Sequence, residues 1–222
     1  MILEGRVTRN GVKATLGDRA APGVDVIAVD GIEVGTCARP RYFALNKPSG
    51  VVSTTQDPRG RTTVLQLLDP RLVGETRPFP VGRLDMNSTG LILLTNDGFL
   101  ANRLLHPRYE VPREYLVEVR PVPGKEDLAR LRKGVDLDDG NTGPATVSML
   151  GKSGDRGQVR LIMHTGKKRQ IRRSFEWLGY TVLTLNRVRF GPVGLGRLKP
   201  GQYRELHGGE VRALYRQTGL GR

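Results

Sequence analysis

The chain has 222 residues, 37% hydrophobic and 26% charged, a composition typical of a folded globular protein rather than a disordered one. Its 36 Lys and Arg residues outnumber 22 Asp and Glu residues, and the formal net charge of +14 favours a nucleic-acid partner over a merely solubilising surface. One cysteine excludes an intrachain disulfide, and no apolar run reaches the roughly 20 residues that span a bilayer, so we expect a cytoplasmic protein without membrane contact.

The first part of the chain predicts a small β-module. Residues 5–13 contain an Asn-Gly pair between alternating residues, which indicates a hairpin because both turn positions need positive φ. Residues 24–31 end in an Asp-Gly pair and predict a second short pair of strands. Residues 35–40 are polar and end in proline, which is typical of a linker or hinge. Residues 1–37 are too poor in apolar side chains to bury a core alone, so we expect those side chains to stay exposed.

From residue 41 onward the pattern changes to longer strands interrupted by a few helices. Apolar or alternating runs predict strands over residues 42–45, 51–54, 91–94, 115–119, 159–163 and 182–190. Helical periodicity with caps predicts helices over residues 64–68 (stopped by Pro70), 99–105, 126–132 and 168–178. Strands outnumber helices, and few strand pairs have the intervening helix that a parallel crossover requires. We therefore predict an α+β domain with a largely antiparallel sheet over residues 41–222.

The spacing of candidate ligands does not indicate a metal or nucleotide site. Three His and one Cys are scattered along the chain, and there is no glycine-rich phosphate loop followed by Lys-Ser/Thr. Asp136, Asp138 and Asp139 could bind a metal, but a solvated turn is the better explanation of this cluster. We therefore predict no metal.

Asp85 is an isolated carboxylate in a polar loop, residues 81–90, directly before the apolar run. Such a loop beside a buried strand could hold a carboxylate at the edge of a cleft. On local sequence alone, an aspartate that accepts hydrogen bonds from the N–H groups of its own turn explains it better.

A basic segment, residues 165–178, is the second unusual feature. Its apolar residues at i, i+4 and i+7 form one stripe for burial. Arg169, Arg172 and Arg173 lie off that stripe near the beginning of the helix, where cations oppose the helix dipole. They predict an anion in front of them, either RNA phosphate or a carboxylate such as Asp85.

Ordered motifs from residue 42 onward closely resemble those of the RsuA/RluB group of pseudouridine synthases. They are LNKPSGVVST at 45–54, GRLD at 82–85, GLILLTNDG at 90–98, LHP at 105–107, REY at 113–115 and RQIRR at 169–173. The DMNSTG variant beginning at Asp85 and RVRFG at 187–191 look most like the RluB subgroup, which acts on large-subunit ribosomal RNA. Residues 1–37 are similar to the second half of the alpha-L RNA-binding motif that commonly precedes this domain, without its leading helices.

The resemblance implies a pseudouridine synthase fold and an enzyme that isomerises uridine in ribosomal RNA, of the large subunit or its assembly precursor. It implies that Asp85 is the essential carboxylate, which either adds to C1′ or takes a proton from C2′. It also implies Arg172 as the charged partner and Tyr115 as a stacking aromatic. We expect the side chains of Asp85 and Arg172 to lie about 2.7 to 4 Å apart or to be joined by one water.

Further basic residues are candidates for the phosphate contacts that offset the cost of flipping a base. They are Lys47, Arg83, Lys167, Lys168, Arg169 and Arg173. The resemblance implies no cofactor, since an isomerisation has no redox step, and we expect a monomer. The strongest alternative is a non-catalytic RNA-binding or ribosome-assembly protein on the same scaffold. A metal-dependent nuclease is a weaker one, because no second carboxylate accompanies Asp85 in its loop.

Overall fold

The computed structural model describes residues 1–21, 24–34 and 39–220. The chain divides into two compact units, Met1–Pro40 and Arg41–Arg222. The hinge predicted over residues 35–40 falls mostly on 35–38, which lie outside the described residues. Within the described ranges, no helix is both long enough and apolar enough to cross a membrane.

The first unit is a small antiparallel sheet. Its strands are β1 (Val7–Arg9), β2 (Val12–Lys13), β3 (Ile27–Val29) and β4 (Ile32–Glu33). They lie in the order β2-β1-β3-β4, and the Asn-Gly and Asp-Gly pairs form the two hairpin turns. Asn10 and Gly11 have φ of 51° and 81°, as a turn of this kind requires. No described side chain of this unit is buried, and Leu3 and Val24 are 84% and 78% exposed.

The second unit is built on one large sheet. In chain order the strands of this sheet are β5 (Tyr42–Lys47), β6 (Phe79–Pro80), β7 (Thr89–Thr95), β8 (Arg113–Arg120), β11 (Thr146–Ser153), β12 (Arg156–Met163), β13 (Thr181–Phe190), β14 (Val193–Gly194) and β15 (Tyr203–Glu205). Two more strands, β9 (Asp136–Leu137) and β10 (Gly140–Asn141), form a separate hairpin between β8 and β11 in the sequence. The main order is β11-β12-β8-β13-β7-β5-β15, with β6 paired to β7 and β14 to β13. The β13–β7 pair is parallel and the other described pairs are antiparallel, which confirms the predicted α+β class and largely antiparallel sheet.

Helices cover both faces of the sheet at its centre. Among the described residues they are α1 (Pro70–Thr76), α2 (Gly98–Leu105), α3 (Lys125–Lys133), α4 (Gln170–Trp177) and α5 (Gly208–Gln217). On β7, Leu91 and Leu93 pack into the cluster that includes α2 and α5, whereas Ile92 and Leu94 pack into the cluster that includes α3 and α4. Residues 91–94 of the strand are therefore all apolar instead of alternating with polar residues, as expected for a strand buried on both faces.

Residues 51–54 were predicted as a strand, and this prediction is wrong. The segment forms only one isolated bridge, between Val52 and Thr63. The carbonyl of Val51 accepts a hydrogen bond from Lys47 Nζ at 2.8 Å, and the side chain of Ser53 bonds to Leu84. These polar contacts take the place of the backbone hydrogen bonds that a regular strand makes to its neighbours.

Helix boundaries also differ from the prediction in two places. The helix predicted over residues 64–68 is a 3-10 helix, Val64–Leu67. Pro70 does not simply stop it but begins α1, with Asp69 as the capping residue that accepts from Arg71 N at 2.8 Å. A proline suits this first position because its missing N–H would have no helical partner. The helix predicted over residues 168–178 begins later, because Arg169 has φ of 50° and caps it.

Candidate active site

Asp85 lies in the loop between β6 and β7, and hydrogen bonds to neighbouring segments fix this loop. Ser53 Oγ donates to the Leu84 carbonyl at 3.0 Å and accepts from Leu84 N at 3.1 Å. Gly50 N donates to the Met86 carbonyl at 2.9 Å. The Asp85 side chain is partly exposed, and its carboxylate has no hydrogen-bond partner among the described residues. The fold thus holds the backbone on both sides of Asp85 while leaving the carboxylate free.

Lys47 supports the same loop from inside the protein. Its side chain is fully buried, and Nζ donates to the carbonyls of Pro48, Val51 and Met86 at 2.9, 2.8 and 3.1 Å. Burial lowers the pKa of Lys47 to about 8, and the negative charge of Asp85 opposes this shift. Because Nζ is enclosed, the predicted contact between Lys47 and RNA phosphate is wrong. Lys47 instead ties the residue after Asp85 to the chain that follows β5.

Arg172 supports the loop from α4. Its Nη2 donates to the Asn87 carbonyl at 3.3 Å and its Nη1 to the Val182 carbonyl at 3.1 Å. Burial and the charge of Arg169 lower the pKa of Arg172, and the Asp85 charge raises it. No ion pair within 4.0 Å joins Arg172 to Asp85 in the described structure, so the direct contact predicted from the sequence is not formed. The guanidinium binds the backbone two residues beyond the carboxylate instead.

The space in front of Asp85 is a cleft of about 330 Å³. The cleft is lined by Arg83, Leu84, Asp85, Ser88, Tyr115, Met163, Gly166, Lys167, Lys168, Arg169, Gln170, Ile171 and Leu185. Tyr115, on β8, opens onto it although the residue is only 8% exposed. The structure therefore brings together a free carboxylate, an aromatic ring and several cations that lie far apart in the sequence. A planar polar ring could stack on Tyr115 with its attached atoms near Asp85.

The five predicted phosphate-binding residues other than Lys47 fall into two groups according to their partners. Arg83 and Lys168 are exposed and have no protein partner among the described residues. Arg169 is also exposed, with only a 4.0 Å ion pair to Glu176. All three line the cleft, and their charges are available to an anionic ligand.

Lys167 and Arg173 already contact the hairpin of β9 and β10. Lys167 Nζ donates to the carbonyls of Asp139 and Gly140 at 2.6 and 3.0 Å. Arg173 Nη2 donates to both carboxylate oxygens of Asp139 at 2.9 and 2.8 Å, which lowers the pKa of Asp139. Asp139 is thus used as an ion-pair partner of α4. Residues 136–139 belong to no metal-binding cluster among the residues described.

Sequence reasoning missed two residues that hold the walls of the cleft in place, Ser53 behind the lining and Gln170 within it. Ser53 was assigned to a strand, and its role depends on Leu84, which lies 31 residues away. Gln170 was not singled out, yet its Oε1 accepts from Lys167 N at 2.9 Å and its Nε2 donates to the Thr142 carbonyl at 2.9 Å. The sequence offered one signal for Gln170: it is an uncharged polar residue in the first turn of a helix whose neighbouring residues are mostly basic.

Comparisons with known proteins give a consistent family assignment. A family model described as RNA pseudouridylate synthase matches residues 41–177. The chain is 41% identical over 222 residues to an uncharacterised RNA pseudouridine synthase of Aquifex aeolicus, covering 99% of this chain and 88% of that protein. It is 39% identical over 218 residues to ribosomal large subunit pseudouridine synthase B of Bacillus subtilis, covering 96% and 87%. A solved pseudouridylate synthase superposes with a TM-score of 0.74 at 31% identity, covering 96% of this chain and 90% of the other.

Proposed function

The chain belongs to the RNA pseudouridylate synthase family, and from this premise we propose that it converts a specific uridine of large-subunit ribosomal RNA to pseudouridine. We propose Asp85 as the catalytic carboxylate, Tyr115 as the stacking residue and Arg172 as the residue that positions the Asp85 loop. The observation that carries this proposal is the free Asp85 carboxylate, which lines one cationic cleft together with Tyr115.

The reaction breaks the C1′–N1 bond of the uridine, turns the uracil and joins C5 to C1′. The proton on C5 is lost, and N1 gains one. Asp85 would either add to C1′ and leave when C5 attacks, or take a proton from C2′ and return it. Both routes restore the carboxylate and need no redox partner, so we propose no cofactor. The base must leave the RNA stack, at a cost of roughly a few kcal/mol, which stacking on Tyr115 and phosphate contacts would offset.

The choice of large-subunit ribosomal RNA is supported by the Bacillus subtilis relative, whose name refers to the ribosomal large subunit. The test is to map pseudouridines by chemical probing in ribosomal RNA from cells that lack the protein. We expect one large-subunit site to disappear, to return with the wild-type gene and to stay absent with the Asp85→Asn variant. An unchanged large-subunit map would contradict this substrate and favour another RNA.

Binding to this RNA should depend strongly on salt, because several phosphates are neutralised on a chain of net charge +14. We expect the Lys168→Gln/Arg169→Gln double variant to flatten the slope of log Kd against log salt by about 1 to 2 units. The control is Arg212→Gln/Arg216→Gln, which removes two exposed charges from α5, outside the cleft. Equal slopes for the wild type and the Lys168/Arg169 variant would show that this surface does not meet phosphate.

Three further properties belong to the proposal. The first is that residues 1–37 are a partial alpha-L RNA-binding module, followed in the sequence by a catalytic domain over 41–222. The second is that the enzyme works as a monomer. The third is that it acts in the cytoplasm, on ribosomal RNA of the large subunit or of its assembly precursor. Activity on naked ribosomal RNA compared with purified particles would distinguish the two forms of substrate.

A further inference from the structure

Two buried arginines lie beside the cleft, and the proposed mechanism does not use them. Arg113 is 8% exposed and Arg187 is 2% exposed. They project from the adjacent strands β8 and β13, and their guanidinium carbons lie 5.3 and 5.2 Å from the centre of the Phe190 ring. The fold therefore places two like charges against one aromatic side chain.

Neither arginine has a carboxylate partner in the described part of the chain. Arg113 donates to the His164 carbonyl at 3.2 Å and to the Leu104 carbonyl at 3.5 Å. Arg187 Nε donates to the Leu91 carbonyl at 2.7 Å, but its Nη2 is buried and has no hydrogen-bond partner among the described residues. Burial lowers the pKa of Arg113. The charge of Arg187 lowers this pKa as well, whereas Tyr115 raises it. Buried cations without a counter-ion are unfavourable, so an anion is expected to complete this arrangement.

Both arginines line a cavity of about 390 Å³. Arg83, Lys167 and His164 also line it, and no Asp or Glu does so among the described residues. Arg83, Tyr115, Gly166 and Lys167 are shared between this cavity and the Asp85 cleft. The cavity is therefore a cationic extension of the Asp85 cleft, and Tyr115 borders both spaces.

We propose that this cavity binds a backbone phosphate of the substrate RNA, next to the uridine whose base enters the Asp85 cleft. The proposal rests on the proposed function. A phosphodiester carries one negative charge, and its two non-bridging oxygens fit the paired N–H groups of a guanidinium. Since Tyr115 borders both spaces, a base stacked on it would carry its neighbouring phosphate toward Arg113 and Arg187. That phosphate would supply the counter-ion that the described chain does not.

The first test uses inorganic phosphate and needs no RNA. A side-chain carbon at Gly166 would lie 3.5 Å from Arg113 Nη1, which is ordinary contact. Gly166→Asp therefore introduces a carboxylate beside Arg113, and Gly166→Asn is its neutral control. In chloride we expect the Asp variant to melt at a higher Tm than the Asn variant. Phosphate at equal ionic strength should raise the Tm of the wild type and the Asn variant but not of the Asp variant. An equal phosphate response in all three proteins would overturn the anion site.

The second test asks whether the anion belongs to RNA. A stem–loop that contains the mapped uridine is made with one neutral methylphosphonate linkage at successive positions. At one position we expect the wild type to bind about 10-fold more weakly, whereas Arg113→Gln should lose less than about 2-fold from the same replacement. If Arg113→Gln does not fold, the Gly166→Asp and Gly166→Asn pair takes its place. A phosphate response in the first test without any such position would mean a free-anion site and overturn the RNA assignment. The first test uses no RNA, so its result stands even if the pseudouridine map of large-subunit ribosomal RNA is unchanged in cells that lack the protein.

Discussion

Asp85→Asn is expected to lower the rate of pseudouridine formation by about 1,000-fold or more while changing RNA affinity less than about 2-fold. An amide matches the carboxylate in size but can neither add to C1′ as an anion nor accept the C2′ proton. The loop should keep its shape, because its backbone is held by Ser53, Lys47 and Arg172 rather than by the Asp85 side chain. Single-turnover assays and equilibrium binding on the same RNA measure the two quantities separately.

The matched control for that experiment is Asp155→Asn. Asp155 is an exposed aspartate between β11 and β12 that pairs with Arg120 at 2.8 Å, and it does not line the Asp85 cleft. Its replacement should leave the turnover rate within about 2-fold of the wild type, since surface ion pairs contribute little. Near-normal turnover by Asp85→Asn would remove Asp85 as the catalytic group.

Gly90→Ala is expected to reduce the free energy of unfolding by about 3 to 5 kcal/mol or more. Gly90 has φ of 102°, and a side-chain carbon there would collide with Asn186 Oδ1 and the Arg187 carbonyl and lie 2.7 Å from Arg187 N. All of these atoms belong to β13, where it pairs in parallel with β7. The strands would have to separate, and the Asp85 loop, which ends just before Gly90, would move with them.

Urea unfolding of the wild type and the variant measures this difference in the free energy of unfolding, provided that the two proteins have the same m-value. Gly151→Ala in β11 is the control, because nothing lies within 4 Å of the added carbon and its φ is not in the left-handed region. It should change stability by less than about 0.5 kcal/mol. If both variants unfold at the same urea concentration as the wild type, the two central strands are not packed as closely as the structure shows.

The central strand and the basic helix could be predicted because their signals are local. An apolar run of four residues predicted β7, and the apolar stripe of residues 165–178 predicted the buried face of α4. Lys47 could not be predicted as a buried residue, because its surroundings include the Met86 carbonyl, 39 residues away. A lysine at the end of a strand gives the same local sequence pattern whether its ammonium group contacts solvent or three carbonyl groups.

The site was predicted in outline and not in its contacts. The motifs led to Asp85 and Tyr115, which the fold places in one cleft. They also suggested a direct pair between Asp85 and Arg172, whereas Arg172 binds carbonyl groups. Residue types indicate which charges are present, but carbonyl acceptors are the same at every residue. Only the folded backbone decides which of them a guanidinium meets.

The dependence of the Asp85 loop on distant segments has a consequence for biosynthesis. Arg172 reaches the loop from 85 residues later in the chain, and Arg187 reaches β7 from 96 residues later. A nascent chain that has emerged only through β12 already contains Asp85, but neither α4 nor the parallel neighbour of β7. Contacts between such distant segments form late and slow the folding of a domain. The enzyme should therefore gain activity only after β13 has left the ribosome, and nascent chains released before that point should be inactive.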